Sequence, residues 1–562
     1  MNETQAVTSR IAALADELVA ARFEADPVEA SLLGLEGPHH RLVDYDEAAR
    51  QRCRDQMFAI ARAATAVDPA WLEPTDRITR ELVVQQACAV AAHIEVRTEE
   101  FSVSDGLSAP ALWPLVALPM ISLGSARMAH GYLDRLAALP GYLATITERQ
   151  RAGLARGLAP PAFLVRAGLD YIDRYLSNYD ADPLRNVPAQ VPVPDFTRHR
   201  DALVDDKVRP AYARYRMFLA TEVAPRARPD AQAGLWWQPG GEHRYAALAS
   251  VHTTTERGAD ELHETGMAVL GELAGEYAEI GVAAFGTSDL TEIFQRLRHD
   301  RALRWSSGAE LLDAARAAIR RAEAVAPGWF DRLPADPVEV RPVPDAEAGG
   351  GATAYYTPPS LDGTRPGTYF ANTSDPGSRC RHLAEAIAFH EVIPGHHFQT
   401  TTALGLDRLP LIRRIADVNA YAEGWALYAE RLADEMGLYS GPLSRLGMLA
   451  QDSLRAARLV VDTGLHAYGW SRQRAVGFLT EHTPLTPAEI GPEVDRYAAV
   501  PGQALSYMVG RQEIRRLRAE AEHRLGPAFD IRRFHEAVLD CGPVPLSLLS
   551  TVVGDWIAER RR

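Results

Sequence analysis

Residues 388–400, Ala388 to Thr400, read AFHEVIPGHHFQT. Leu383, Ile387 and Phe389 give the approach a helical apolar rhythm, yet a Pro-Gly pair, Pro394 and Gly395, falls between two groups of histidines. A helix that grips a metal ion through two histidines places them four residues apart, because that offset brings both side chains to one face about 6 Å apart along the axis. In the form HExxH the glutamate is the general base toward water at the metal. His390 and Glu391 supply the first half, but Pro394 occupies the fourth position. In a straight helix His396 would stand about 240° around from His390, and His397 would share its face but lie about 10.5 Å away. Neither could share an ion with it. Pro394 cannot bond back to the His390 carbonyl and Gly395 tolerates unusual torsions, so two or three residues can loop out before the helix resumes. Two extra residues bring His396 to the second-ligand place and three bring His397; the reading favours His396 and keeps His397 as the alternative. The competing reading is a helix stop followed by an exposed loop.

A zinc site with an open position for water takes a third ligand, expected from a separate helix. NAYAEGWALYAERLADEMG, Asn419 to Gly437, offers Glu423, 27 residues after His396 and set among Ala422, Gly424, Trp425 and Leu427. A carboxylate in that company reads as buried and in need of a partner. Glu430, followed by Arg431, reads as an ordinary exposed glutamate.

Around this core of residues the texture is helical. ADELHETGMAVLGELAGEYAEIG, GAELLDAARAAIRRAEAVA and PLSRLGMLAQDSLRAARLVVDTGLHAYGW carry apolar residues at three- and four-residue spacing between capping and breaking residues. The fold is expected to be mainly α, one large helical unit over 1–562 with sub-lobes 1–230 and 231–562. Between about 337 and 373 the runs PVEVRPV, ATAYYTPP and GTYFANT are short, β-branched or aromatic, and predict a small sheet just before the histidine helix. Loops are expected at Arg228–Arg244 and at PDAEAGGGA, Pro344 to Ala352.

A net charge of -14 and a pI near 5.7 argue against a nucleic-acid partner, which needs a basic face. Gly106 to Ala126 holds 21 residues without a charge, but Pro110, Pro114 and Pro119 make it a buried irregular connection and not a membrane span. The N-terminal stretch reads as an amphipathic helix and not a signal peptide. Cys53, Cys88, Cys380 and Cys541 are far apart and form no CxxC, so reduced thiols in a cytoplasm are expected.

FHEVIPGHHFQ with AYAEGWALYAE, then RLVVDTGLHAYGWS and PGQALSYMVG, resembles the bacterial family called domain of unknown function 885. Members look like helical zinc peptidases similar to thermostable carboxypeptidases and, more remotely, to thimet oligopeptidase and angiotensin-converting enzyme. The resemblance implies a deep cleft, one zinc ion held by His390, Glu423 and either His396 or His397, and Glu391 as base. Met508 stands where family members often carry Lys, so no substrate contact is carried over to that position.

Further polar residues fall into place beside these. Arg458, Asp462 and His466 form an i, i+4, i+8 stripe in which Asp462 would orient His466 to donate to an oxyanion. Tyr497 and Tyr507 are candidate phenol donors to the same oxyanion, Tyr507 with the better claim because SYMVG resembles the thermostable carboxypeptidases. Arg511 would hold a substrate carboxylate. An extended peptide would add to an exposed sheet edge at TAYYTPP or TYFANT, bordered by Tyr355, Tyr356 and Asn372. The expected reaction is hydrolysis of amides in short peptides. The rivals are a zinc amidase or esterase acting on other substrates, and a non-catalytic helical scaffold; no GxSxG elbow supports a serine hydrolase.

Overall fold

Alanine-rich segments with apolar residues three and four apart bury one stripe each, and the helix Pro442–His466 goes further, since every residue from Leu446 to His466 is buried. A helix enclosed on all sides has to be the centre of the molecule. The computed structural model describes residues 3–105, 109–334, 336–344 and 353–561. It is mainly helical, with caps where the sequence places them: Asp46, Asp289, Ser307 and Ser471 each accept a first-turn amide, and Thr486 with Glu489 forms a capping box.

A three-stranded sheet precedes the histidine helix, as the sequence predicts. Its strands are β1 (Glu339–Pro342), β2 (Ala354–Thr357) and β3 (Thr368–Ala371) in the order β1-β3-β2. β1 runs parallel to β3 with Glu339 opposite Thr368, and β2 runs antiparallel to it with Ala354 opposite Ala371. TYFANT therefore cannot serve as an open edge, because β3 is paired on both sides; β2 keeps one side unpaired among the described residues. The loop expected at Pro344–Ala352 lies outside the described residues beyond Pro344.

The uncharged segment folds as expected where it is described. Gly106, Leu107 and Ser108 lie outside the described residues, and the rest becomes a short helix, Trp113–Ala117, and a single tight turn, with Leu112, Leu115 and Leu118 buried. No helix among the described residues is long and apolar enough to cross a membrane. The apolar core does not divide at residue 230. Residues 28–223 hold a cluster of their own, but Ile11, Leu18, Ile60 and Leu82 share a core with Phe389, Trp425 and Ile514.

Two helices position the chemistry and cross at glycines. Asn419–Glu435 carries Glu423, Ser506–Leu525 carries Tyr507, and a Cβ on Gly510 would overlap the Ala420 carbonyl and the Gly424 backbone. Gly510→Ala is expected to destabilise the fold by roughly 1–3 kcal/mol through this overpacking, seen as an earlier urea midpoint. A surface glycine-to-alanine change at Gly477, which meets nothing, is the matched control.

Candidate metal centre

The helix Ala384–Glu391 stops at Glu391, and a second helix, His396–Leu404, begins after four intervening residues. Val392 to Gly395 form the link, and the Phe398 amide reaches back to the Val392 carbonyl at 3.1 Å, so the chain re-enters helix after an enlarged turn. Gly395 is required by space: a Cβ there would overlap the carbonyl oxygens of His390 and Phe389. The Trp425 indole Nε1 donates to the Pro394 carbonyl at 2.8 Å, which fastens the break to the helix bearing Glu423.

The break does what the spacing asks of it. His390, His396 and Glu423 each bring one ligand atom within 4.8 Å of the others. The two imidazole rings stand perpendicular, centroids 4.8 Å apart, and Glu423 Oε2 lies 3.6 Å from His390 Nε2 and 3.3 Å from His396 Nε2. These separations suit donors arranged about a common ion, and Glu423 Oε2 is buried without a hydrogen-bonding partner. Burial pushes the Glu423 carboxyl up, but His396 and His390 outweigh it and hold it well below its ordinary range. Burial likewise pushes His390 down, yet Glu423 and Glu430 hold it up at about 9.

Glu430 is the residue that the sequence reading misplaced. It is fully buried, and its Oε1 accepts from His390 Nδ1 at 2.8 Å. A carboxylate on Nδ1 fixes the proton there and frees Nε2 as a ligand atom. The missed signal was the spacing: Glu430 follows Glu423 by seven residues, about 20° short of two full helical turns, so both face the same way. His397, the alternative ligand, points elsewhere. Its Nδ1 accepts from the Tyr356 hydroxyl and its Nε2 donates to the Asp336 carbonyl, both at 3.0 Å.

Glu391 is half-buried, and its carboxylate makes no hydrogen bond or ion pair among the described residues. Of the candidate oxyanion donors, Tyr507 alone adjoins the ligands. Its ring lies nearly parallel to His390 with centroids 6.4 Å apart, and burial, then Glu423, raises its phenol above the ordinary value. His466 is corrected: it is fully buried, its Nδ1 accepts from the Leu235 amide at 3.0 Å and its Nε2 donates to the Tyr497 carbonyl at 3.1 Å. Burial lowers it to about 3, so the ring is neutral and both nitrogens are spoken for. Asp462 does not orient it, accepting instead from Tyr245 at 2.7 Å and from the Gly502 amide. Tyr497 is corrected as well, because its hydroxyl accepts from Arg458 at 3.1 Å and donates to Glu493.

Arg511 does not face a substrate. It is buried against Asp452, which also pairs with Arg431. Asn372 is fully buried, its Oδ1 accepting from Ser374, so it borders no cleft. Tyr355 stacks on Phe370 at 5.0 Å, and Tyr356 holds His397 on the opposite face of β2.

The model of the family described as "Bacterial protein of unknown function (DUF885)" matches residues 27–553. A "putative lipoprotein" from Colwellia psychrerythraea has a solved structure 27% identical to this chain, with a TM-score of 0.90 over 98% of this chain and 99% of that one. A "putative lipoprotein of unknown function" from Shewanella oneidensis, 19% identical, shares the fold with a TM-score of 0.73 over 96% and 99%. No curated protein matches. The chain belongs to the DUF885 family.

Asp462 makes a pH test available. Burial pushes its carboxyl up to about 7 against the pull of Tyr245 and the Gly502 amide. A carboxyl raised by folding contributes stability below its unfolded value of about 4, and that contribution is lost as pH rises from there through about 7. For one proton the loss is at most about 1.4 kcal/mol for each tenfold fall in proton concentration. Asp462→Asn is expected to remove this decline in unfolding stability between pH 5 and pH 7. Urea titrations across that range would show it, and an unchanged slope would refute the assignment.

Proposed function

We propose that this member of the DUF885 family is a zinc-dependent hydrolase that cleaves amide bonds in short peptides. The observation that carries the reading is the convergence of His390, His396 and Glu423 within 4.8 Å, with the unengaged carboxylate of Glu391 next to His390 in the chain. A zinc ion held by these three would supply Lewis acidity, polarising the substrate carbonyl and acidifying water. The chain's own residues do the rest. Glu391 accepts a proton from the attacking water and passes it to the leaving amine. The Tyr507 hydroxyl donates to the carbonyl oxygen as it gains charge. Glu430 holds the His390 ring in place and keeps its Nδ1 protonated.

Short peptides fit the surroundings. The unpaired side of β2 offers main-chain groups to an extended substrate beside Tyr355. Four unpaired thiols support a reducing compartment such as the cytoplasm.

Elemental analysis of the purified chain is expected to give about one zinc, lost in His390→Ala and Glu423→Ala. Glu391→Gln should keep the metal while turnover on a peptide library falls by roughly 10²- to 10⁴-fold. Glu430→Ala should weaken zinc binding by about 10- to 100-fold, read by competition with a chelating dye. A folded chain that takes up no zinc even when zinc is supplied would sink the proposal.

A further inference from the structure

Beyond the ligands, the unexplained feature near the centre is positive charge. Arg455 and Arg458 stand one turn apart on the central helix, 8% and 5% exposed. Both guanidiniums lie against the Tyr507 ring, 5.5 and 4.5 Å from its centroid. Arg458 is compensated by Glu493 at 3.0 Å, and Arg496 takes the same carboxylate at 3.1 Å. Arg455 has no acidic partner among the described residues. Its Nη1 donates to Gln451, and its Nε is buried with no acceptor.

Two guanidiniums, Arg458 and Arg496, therefore share one carboxylate, and the third, Arg455, is uncompensated and nearly sequestered from water. An unpaired buried charge is costly and persists where something else requires it. The other arginines nearby are accounted for, since Arg431 and Arg511 divide Asp452 and Glu276 between them. Arg496 and Glu493 keep 33% and 24% of their side-chain surface exposed, so the cluster opens to solvent on that side. One aromatic ring, Tyr507, separates the cluster from His390. The two centroid distances, 5.5 and 6.4 Å, bound the gap at about 12 Å, which about three extended residues at about 3.5 Å each cover.

We infer that Arg455, backed by Arg458, anchors a substrate carboxylate, foremost the free C-terminal carboxylate of a short peptide. Calling the bound molecule a substrate rests on the amide-hydrolase reading above; the anion site rests on the arginines and needs no metal. A guanidinium whose Nε and Nη edge is free offers the paired donors that a carboxylate accepts bidentately, and Gln451 holds the remaining nitrogen in orientation. The anchor would set the register of cleavage by fixing how far the chain end lies from Glu391 and Tyr507.

Calorimetry on the full chain, with zinc and after chelation, would compare N-acetylphenylalanine, N-acetylphenylalaninamide and the α-amide of N-acetylglutamate. The terminal acid is expected to bind at least about tenfold more tightly than its amide in both forms of the protein. Arg455→Met should erase that preference and Arg455→Lys should restore part of it. Equal binding of acid and amide to the unaltered chain overturns the inference without recourse to any variant. So does a preference that survives Arg455→Met, or one that vanishes on chelation and so belongs to the metal. The side-chain carboxylate binding as tightly as the terminal one would overturn the C-terminal assignment. A carboxylate preference in a chain that takes up no zinc would leave the anion site standing and remove the hydrolase reading alone.

Discussion

The hydrogen bond from Trp425 Nε1 to the Pro394 carbonyl joins the two parts on which the candidate centre depends. A continuous helix would bring the Phe398 amide to the Pro394 carbonyl, but that amide goes to Val392 instead, and a buried carbonyl needs a donor. Trp425 is fully buried two residues after Glu423, so the donor arrives on the helix that also delivers the carboxylate. Satisfying the broken helix and completing the ligand set are thus one geometric event. The Gly424 and Gly510 crossing extends the same constraint to a third helix and brings Tyr507 beside His390.

Charge around the candidate centre is arranged in sets in which carboxylates and cations are shared. Asp452 takes Arg431 and Arg511, Glu493 takes Arg458 and Arg496, and Glu430 takes His390. Breaking any one pair leaves a buried charge without compensation, which is far more damaging than never having placed the pair there. The polar stripe along the central helix is therefore a scaffold of ion pairs and hydrogen bonds, and Arg455 stands out because it belongs to none of the sets.

Much of this was legible in the sequence, and the divide between what was and was not has a physical cause. Helical periodicity, the small sheet and the return of His396 toward His390 follow from local rules: side-chain direction every 100°, a proline that cannot donate, a glycine that fits where a Cβ would not; Glu423 was legible from its apolar company. His466, Tyr497 and Arg511 were misassigned because they engage Leu235, Arg458 and Asp452, which lie far off in the chain, and no spacing rule announces such a pairing. Glu430 is the instructive case. Its heptad relation to Glu423 was visible, but the adjoining Arg431 suggested solvent, whereas Arg431 in fact turns to Glu276 and Asp452.

The enclosure of the central helix from Leu446 to His466 bears on how the chain is made. Synthesis proceeds from the N-terminus, and this helix leaves the ribosome before the Ser506–Leu525 helix that neutralises Asp452 and covers Arg455 and Arg458. Until then a run of buried-type residues must wait in an incomplete shell, with Asp452 holding Arg431 and lacking Arg511. A product cut short before Tyr507 would hold His390, His396 and Glu423, all three candidate ligands, and still lack the surroundings that keep them in place. The last tenth of the chain, which contains no ligand, thereby decides whether the ligands amount to a site.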